Sequence, residues 1–292
     1  MSTRPLLNLF LFLFVLALIA IIFFEPGKET AKTPPSLTSL NKEDVSRIKI
    51  VTPNKKTIEL IKDKDTWKIV SPYQNAANTF RINALLKLLS SVSLSKYSLS
   101  NLDKNQFGLT TPSASIQFND MTIYFGHNKS LKNHRYVQVS NDVHLIADTF
   151  YYKLSANPES YIDHKILPIG SKITKLILPS MTLSYGINKE TDISQWNIQP
   201  VAGETSADSI NQLISEWELS QAFDLKVIPI KKNTKADVSI ELSNKQTLRF
   251  SFTDNKNKFE LINLDTGIQY ILSSDRKDKL LKLSGVNQDD PL

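Results

Sequence analysis

The hydrophobic pattern of the chain begins with an uninterrupted apolar run. Residues 6–24 read LLNLFLFLFVLALIAIIFF, nineteen positions with no charge and with Asn8 as the only polar side chain. As an α-helix the run would rise about 28 Å, close to the thickness of a hydrocarbon core. Its Leu, Ile, Phe and Val side chains all favour insertion into a bilayer. We therefore predict that residues 1–24 form a transmembrane signal anchor.

A cleaved secretory signal is the alternative interpretation of the same run. Signal h-regions are shorter, about 7 to 15 residues, and end at small residues. A cut after Ala20 would place Leu18 at the −3 position, which fits that pattern poorly. The flanking charges barely discriminate between orientations, but a short N-terminal tail usually stays in the cytoplasm. We expect an uncleaved, single-pass anchor in the bacterial inner membrane, with the C-terminal body in the periplasm.

After the run the pattern changes twice. Residues 25–44 are polar and contain three prolines, which is typical of a semi-extended linker. Short segments of alternating apolar and polar residues then predict β-strands, starting near Ile48. They are interrupted by a helical period, with apolar residues at i, i+3, i+4 and i+7 and a cap at Asn78 or Thr79. That helical face consists of Ile82, Leu85, Leu86 and Leu89.

The same pattern occurs a second time. Five short blocks recur in the same order at offsets of 124 to 129 residues. The clearest is WKIVSP at residues 67–72, which returns as WNIQP at 196–200, and each copy is followed ten residues later by a helical stretch. Collinear matches of this kind indicate a duplication. The markers of the repeat are Trp67, Pro72, Ile82 and Leu85 in the first copy and Trp196, Pro200, Ile210 and Leu213 in the second.

Together these patterns predict an α+β fold. An N-terminal transmembrane helix precedes two duplicated modules, each an antiparallel sheet with one main packed helix, since short hairpin loops favour antiparallel pairing. The predicted boundaries are 1–24 for the anchor, 25–44 for the linker, 45–165 and 170–285 for the modules, and 286–292 for a tail. In both copies we expect the repeated tryptophan to pack in the core.

Composition narrows the possible functions. The net charge of +6, from 35 basic and 29 acidic side chains, is modest. The basic residues are interspersed with acidic ones along the chain and form no arginine-rich cluster, so we expect no nucleic-acid partner. The chain has no cysteine, which excludes disulfides, thiolate catalysis and cysteine metal sites. Only eight glycines occur, and no phosphate-binding loop, zinc-protease or nucleophile-elbow motif is present.

Candidate chemistry is therefore sparse. We interpret the four histidines, His127, His134, His144 and His164, as surface loop residues rather than metal ligands. Asp163 precedes His164, but neighbouring strand residues point to opposite faces, which weakens the case for an acid–base pair. We expect no catalytic residue, no cofactor and no metal site. Gly108 is predicted to occupy a turn with positive φ, in a stretch that ends at Pro112.

The motifs of the first module carry a family resemblance. They are Trp67-Lys68-Ile69 with Pro72, Phe107-Gly108-Leu109-Thr110-Thr111-Pro112, Phe125-Gly126, Arg135-Tyr136-Val137 and Val143-His144-Leu145-Ile146. In these the chain resembles the bacterial domain-of-unknown-function family 4340, although the second copy lacks a clear Gly-Leu-x-x-Pro stretch. The resemblance implies an envelope protein without an assigned reaction, in some cases encoded beside ABC transport systems of the gliding-motility kind.

These observations lead to one expectation and two alternatives. The leading expectation is a non-catalytic accessory or interaction subunit of an envelope or ABC-transport-type membrane complex, with another inner-membrane or envelope protein as its partner. The first alternative is a module that presents a lipid or glycan to a transporter. The second, less favoured, is a hydrolase of an envelope polymer.

Overall fold

The computed structural model describes residues 4–24, 35–129, 133–187, 194–200, 206–231, 233–255 and 257–284. Its first element is helix α1 (Arg4–Phe24), whose side chains are described at positions 6–21. Within these ranges no helix combines the length and the apolarity that a membrane crossing requires. The predicted tail, 286–292, lies outside the described residues.

The first sheet has nine antiparallel strands. Its strands form because apolar and polar residues alternate: in β1, Ile48 and Ile50 are buried while Arg47 and Val51 are exposed. Their order across the sheet is β4-β3-β2-β1-β6-β7-β8-β9-β5. The strands are β1 (Arg47–Val51), β2 (Ile58–Asp63), β3 (Thr66–Ser71), β4 (Asn75–Ala76), β5 (Ser95–Ser98), β6 (Ala114–Phe118), β7 (Met121–Lys129), β8 (His134–Val139) and β9 (Asp142–Ala147).

The second sheet repeats this arrangement with eight strands. Its order is β12-β11-β10-β14-β15-β16-β17-β13, which is the order of the first sheet without the two-residue strand β4. The equality of the two orders supports the duplication inferred from the sequence. The strands are β10 (Ile173–Ile177), β11 (Thr182–Ile187), β12 (Ser194–Gln199), β13 (Asp224–Val227), β14 (Val238–Leu242), β15 (Thr247–Asn255), β16 (Lys258–Asn263) and β17 (Ile268–Ser273).

One main helix packs on each sheet at the equivalent point of the chain. Helix α2 (Thr79–Leu86) begins after Asn78, whose Oδ1 accepts a hydrogen bond from the Arg81 N–H at 3.1 Å. Helix α4 (Ala207–Leu219) begins after Ser206, whose Oγ accepts from the Ser209 N–H at 3.1 Å. Short helices α3 (Tyr151–Leu154) and α5 (Arg276–Leu281) follow the last hairpins. All four helical repeat markers, Ile82, Leu85, Ile210 and Leu213, are buried.

The two modules meet in a continuous apolar core. The main cluster of buried side chains includes residues of both sheets, such as Ile69 and Leu248, together with Ile166 and Leu167 from the connecting segment. Backbone hydrogen bonds join this segment to the second module: the Ile166 N–H donates to Ser220 O at 3.2 Å, and the Ala222 N–H donates to His164 O at 2.9 Å. The junction is therefore held by both apolar burial and main-chain pairing.

The second half of the predicted linker contacts the first module. Leu37 is buried, and its N–H donates to Ser91 O at 2.7 Å. Ser36 forms an isolated bridge with Val92, and Leu40 packs against the core. Residues from 35 onward thus tie the chain after α1 to the loop that follows α2.

The predicted α+β class, with two antiparallel sheets and few helices, is confirmed. The exact domain boundaries stay predictions.

Candidate functional site: the cleft between the modules

The largest of the described cavities, about 810 Å³, opens between the two modules. One wall is the β3–β4 edge of the first sheet, the floor is the connecting segment at 163–169, and the opposite wall is formed by the β14–β15 and β16–β17 turns and by β17. Its volume is in the range of small-molecule sites. The side chains that line both walls include Trp67, Ile69, Gln74, Asn75, Gln246, Leu248, Asn263 and Tyr270.

The lining combines balanced charges with carboxamides. Asp65 and Asp163 contribute negative charge, and Lys68 and Lys165 contribute positive charge, so the four formal charges cancel. Lys68 already pairs with Asp63 at 2.5 Å outside the cleft. Burial, and secondarily the negative charge of Asp163, raises the pKa of Tyr270, which therefore stays a neutral phenol at physiological pH.

The Asp163–His164 dipeptide is split between two sides of the junction. Asp163 lines the large cleft, whereas His164 lines a separate cavity of about 670 Å³ with Arg81 and Glu159. The His164 Nδ1 lies 2.9 Å from Ala222 O. The two side chains therefore line different cavities and do not form a pair.

The histidines do not all lie in surface loops. His127 and His134 belong to strands β7 and β8, on either side of their hairpin loop, and His144 lies on β9 with only 6% of its surface exposed. The surface expectation is therefore wrong for His144. Its Nδ1 lies 2.8 Å from Ser93 Oγ, because the chain after α2 passes over this strand. Within the described ranges, no group of three or more His, Asp or Glu side chains is arranged to hold a metal ion.

Buried His144 makes stability sensitive to acid. Burial, and then the nearby charge of Lys96, lowers its pKa below the ordinary value of 6.5, while Asp142 opposes the shift. As pH falls through 6.5, the unfolded chain takes up this proton before the folded chain does, so the free energy of unfolding decreases. We expect His144→Gln, which can still bond Ser93, to lose stability less steeply than the wild type between about pH 6.5 and 5 in thermal melts. Equal slopes would contradict the prediction.

Gly108 occupies the predicted turn and contacts the hairpin of β7. Its φ is +66°, and a Cβ at this position would lie 2.2 Å from Cδ2 of His127. Gly126 is equally constrained, because its Cβ would lie 2.1 Å from Phe107 O. The two glycine motifs of the first module therefore meet each other, which explains why both need glycine. Pro112 follows this turn, two residues before β6.

A buried ion pair lies beside this contact, and no sequence pattern identified it. Arg135 on β8 and Asp148 after β9 form a two-point pair, with Nε–Oδ1 and Nη2–Oδ2 distances of 2.9 Å. The side chains are 8% and 7% exposed. Arg135 also donates to Gly126 O at 2.6 Å and lies 3.9 Å from the centre of the Tyr151 ring. All three donor nitrogens of Arg135 thus have partners, and these contacts hold β8 and the end of β9 beside the contact between Gly108 and Gly126.

The repeated tryptophans occupy equivalent strands in different surroundings. Trp67 on β3 is 6% exposed and borders the cleft. Trp196 on β12 is only half-buried, and its ring packs edge-on against Tyr185 at 5.4 Å between centroids. Pro72 and Pro200 directly follow these strands in both modules. The connecting segment pairs with the chain at the end of β4, through the bridge between Ala77 and Ile162. Trp67 lines the cleft beside that segment, whereas Trp196 is not among the residues that line the cleft.

Two sheets of equal strand order, each with one capped helix, define a two-module α+β protein built around a central cleft. The chain belongs to the family described as domain of unknown function (DUF4340), whose model matches residues 67–266, more than half of the chain. The match starts at Trp67 and extends into both modules. Comparisons with curated proteins and with solved structures return no match.

Proposed function

We propose that this protein is a single-pass inner-membrane protein whose two-module periplasmic body serves as a non-catalytic accessory or interaction subunit of an envelope or ABC-transport-type complex. The observation that carries the proposal is the surface of α1. All its side chains at positions 6–21 are exposed, including Leu6 at 76% and Phe10 at 68%. A helix that is apolar on every side needs an apolar environment, which a bilayer supplies.

Attachment is tested by placing charge in the middle of α1. We expect the double substitution Leu13→Arg/Val15→Arg to release most of the protein from membranes, since each arginine costs about 2.5–3.5 kcal/mol at a helix centre. The wild type and the matched variant Leu13→Ala/Val15→Ala should stay in the pellet after an alkaline carbonate wash. Recovery of the wild type in the wash would refute the anchor.

Orientation and partner need separate measurements. An alkaline phosphatase fused to the C-terminus is expected to be active, because the enzyme works only after export to the periplasm. An inactive fusion, together with an active cytoplasmic reporter at the same site, would reverse the topology. Purification from native membranes in mild detergent should recover a second envelope protein with the wild type. Its absence would contradict the role as an interaction subunit.

A second candidate function rests on the cleft. A volume of about 810 Å³ between the modules, lined by apolar side chains and carboxamides, supports a module that holds a lipid or glycan for a transporter. Apolar side chains such as Leu248 and Tyr270 offer contact area. Asn75 and Gln246 can each donate and accept hydrogen bonds.

Filling the cleft tests this candidate. Ala76 is exposed and lines the cleft, whereas Ala147 is exposed at the end of β9, away from it. We expect Ala76→Trp to weaken binding of a fluorescent phospholipid or of chitotriose by on the order of tenfold, while Ala147→Trp leaves the affinity unchanged. If neither probe binds the wild type, or if Ala76→Trp binds equally well, the cleft is not the site.

A further inference from the structure

One buried side chain on the second-module wall of the cleft interrupts the apolar pattern of its strand. In β16 the buried positions are those of Phe259, Leu261 and Asn263. The first two are apolar, whereas Asn263 is a carboxamide that is only 4% exposed. Natural sequences depart from such local rules mainly at functional or strained sites. Asn263 is therefore a side chain of this wall whose position is not explained by packing alone.

The first module carries an apolar residue at the corresponding position. In the duplicated sequence, TIYF at 122–125 matches TLRF at 247–250. The last residues of these blocks, Phe125 and Phe250, pair across their sheets with Val137 and Asn263, respectively. Val137 is fully buried. A module of this fold is thus complete with an apolar side chain at this position, and the carboxamide is particular to the copy that forms this wall of the cleft.

The two polar atoms of the Asn263 carboxamide have different surroundings. Oδ1 accepts hydrogen bonds from the backbone N–H groups of Asp265 at 2.9 Å and Thr266 at 3.1 Å, which stabilises the β16–β17 turn. These bonds fix the orientation of the amide and leave Nδ2 on its other side. Within the described residues, Ser220 Oγ is the only buried side-chain atom that is both sealed from solvent and without a hydrogen-bond partner. Nδ2 has no partner among them either, so it contacts the cleft that Asn263 lines.

Tyr270 supplies a second donor on the same wall. It is 4% exposed, and it pairs with Leu261 across β16 and β17. Its side chain therefore lies on the same face of the sheet as that of Asn263, two residues further along β16. Among the described residues its hydroxyl has no hydrogen-bond partner and is not sealed from solvent. Because burial raises the pKa of Tyr270, the hydroxyl stays protonated and can donate.

These two donors limit the ligands that the cleft can hold. A hydrocarbon chain placed against them would leave both without an acceptor, which costs free energy. An extended peptide usually binds by main-chain pairing to a sheet edge. The edge at β4 is already occupied, because the Asp163 N–H donates to Ala76 O at 2.9 Å and Ala77 bridges Ile162. A suitable ligand carries acceptor oxygens on a compact and partly apolar frame.

An N-acetylated sugar has this chemistry. The carbonyl of its acetamido group accepts hydrogen bonds, the N–H of that group can donate to Asp163, and the methyl group can pack against Leu248. The ring hydroxyls both donate and accept, as do the carboxamides of Gln74 and Gln246 on the two walls. The formal charges of the cleft cancel, which favours an uncharged ligand.

We propose that the cleft binds an uncharged glycan with N-acetyl groups, and that Asn263 Nδ2 and Tyr270 Oη donate hydrogen bonds to the oxygens of one N-acetylated sugar. The proposal rests on the cleft being a ligand site, which is the second candidate function, and it selects the glycan over the lipid. Asn263 and Tyr270 bind the ligand and take part in no bond-breaking step.

The test measures the affinity of the full-length chain for chitotriose by calorimetry, in a mild detergent that has no sugar headgroup. Cellotriose has the same β1,4-linked backbone with hydroxyls in place of the acetamido groups, and we expect it to bind at least about tenfold more weakly. Asn263→Asp keeps the oxygen that stabilises the turn but replaces the donor with an acceptor, so the affinity should fall at least about tenfold. Tyr270→Phe removes one hydroxyl and should cost about three- to tenfold.

A matched variant outside the cleft provides the control. Asn119 Oδ1 also accepts from two backbone N–H groups, those of Ser46 at 3.0 Å and Arg47 at 3.1 Å, but Asn119 is not among the residues that line the cleft. Asn119→Asp adds the same charge as Asn263→Asp and should leave the affinity for chitotriose unchanged. Thermal melts show whether each variant is folded.

The outcomes separate this proposal from the function of the cleft. Equal affinities for chitotriose and cellotriose, or wild-type affinity in folded Asn263→Asp or Tyr270→Phe, would overturn the proposal. A wild type that binds the fluorescent phospholipid but not chitotriose, with weaker phospholipid binding in Ala76→Trp, would also overturn it while leaving the cleft as a ligand site. A wild type that binds neither probe would refute both the glycan and the second candidate function.

Discussion

Asp148→Asn is expected to lower the free energy of unfolding by about 3–5 kcal/mol. The Asp148 carboxylate neutralises Arg135 through two hydrogen bonds, and both side chains are more than nine-tenths buried. A neutral amide leaves the guanidinium charge without its counter-ion in a region that water barely reaches. The remaining contacts of Arg135, with Gly126 O and the Tyr151 ring, do not neutralise that charge. The loss would be measured by urea denaturation of the full chain in mild detergent.

An exposed pair of the same kind provides the control. Arg249 and Asp265 in the second module are also hydrogen-bonded, but their side chains are 57% and 32% exposed. Asp265→Asn should therefore cost about 1 kcal/mol or less. The double variant Arg135→Met/Asp148→Leu should recover much of the loss, since it removes both buried charges. Equal costs for Asp148→Asn and Asp265→Asn would show that burial does not determine the strength of the pair.

The second large effect is expected for Trp217→Ala, which should lower the free energy of unfolding by about 3–5 kcal/mol. Trp217 on α4 has no exposed surface, and its ring centroid lies 5.9 Å from that of Phe250 on β15. Its Nε1–H donates to Leu280 O at 2.8 Å, which joins α4 to α5. Truncation removes the ring that fills the space between helix and sheet and leaves the Leu280 carbonyl without this donor.

A control variant in the same helix distinguishes the loss of packing from a change in helix propensity. Leu219, at the end of α4, is 74% exposed, so Leu219→Ala should change the free energy of unfolding by no more than about 0.5 kcal/mol. Trp217→Phe should give an intermediate loss, because it keeps most of the packing but not the hydrogen bond. If Trp217→Ala and Leu219→Ala cost the same, α4 is not held to the sheet by this side chain.

Regular strands with strict alternation were predictable. Alternation predicts strands at residues 114–118 and 238–242, which are the bounds of β6 and β14, and every second side chain of these two strands faces the core. The predicted strands at 122–125, 135–139 and 143–146 lie within β7, β8 and β9, although β9 buries four consecutive side chains. The edge strands β5 and β13 were not predicted. They are only four residues long, and each pairs with one neighbour, β9 or β17. Four residues are too few for the pattern alone to identify a strand, so the pairing with that neighbour fixes their conformation.

The end of helix α2 was also not predictable from the sequence pattern. Its apolar period continues to Leu89, but α2 ends at Leu86. Leu88 and Leu89 are still buried, because the chain turns there and keeps both side chains in the core. An apolar period records which residues are buried, and it does not record where the helical hydrogen bonds stop.

From the sequence alone one can predict the apolar first helix, the duplication, the antiparallel α+β class and the turn at Gly108, because each follows from local periodicity, spacing or backbone preference. The cleft between the modules, the burial of His144 and the Arg135–Asp148 pair become visible only in the folded chain. These three features arise where segments that are distant in the sequence meet. A single sequence indicates which residues prefer to be buried, but it does not indicate which residues they contact in the fold.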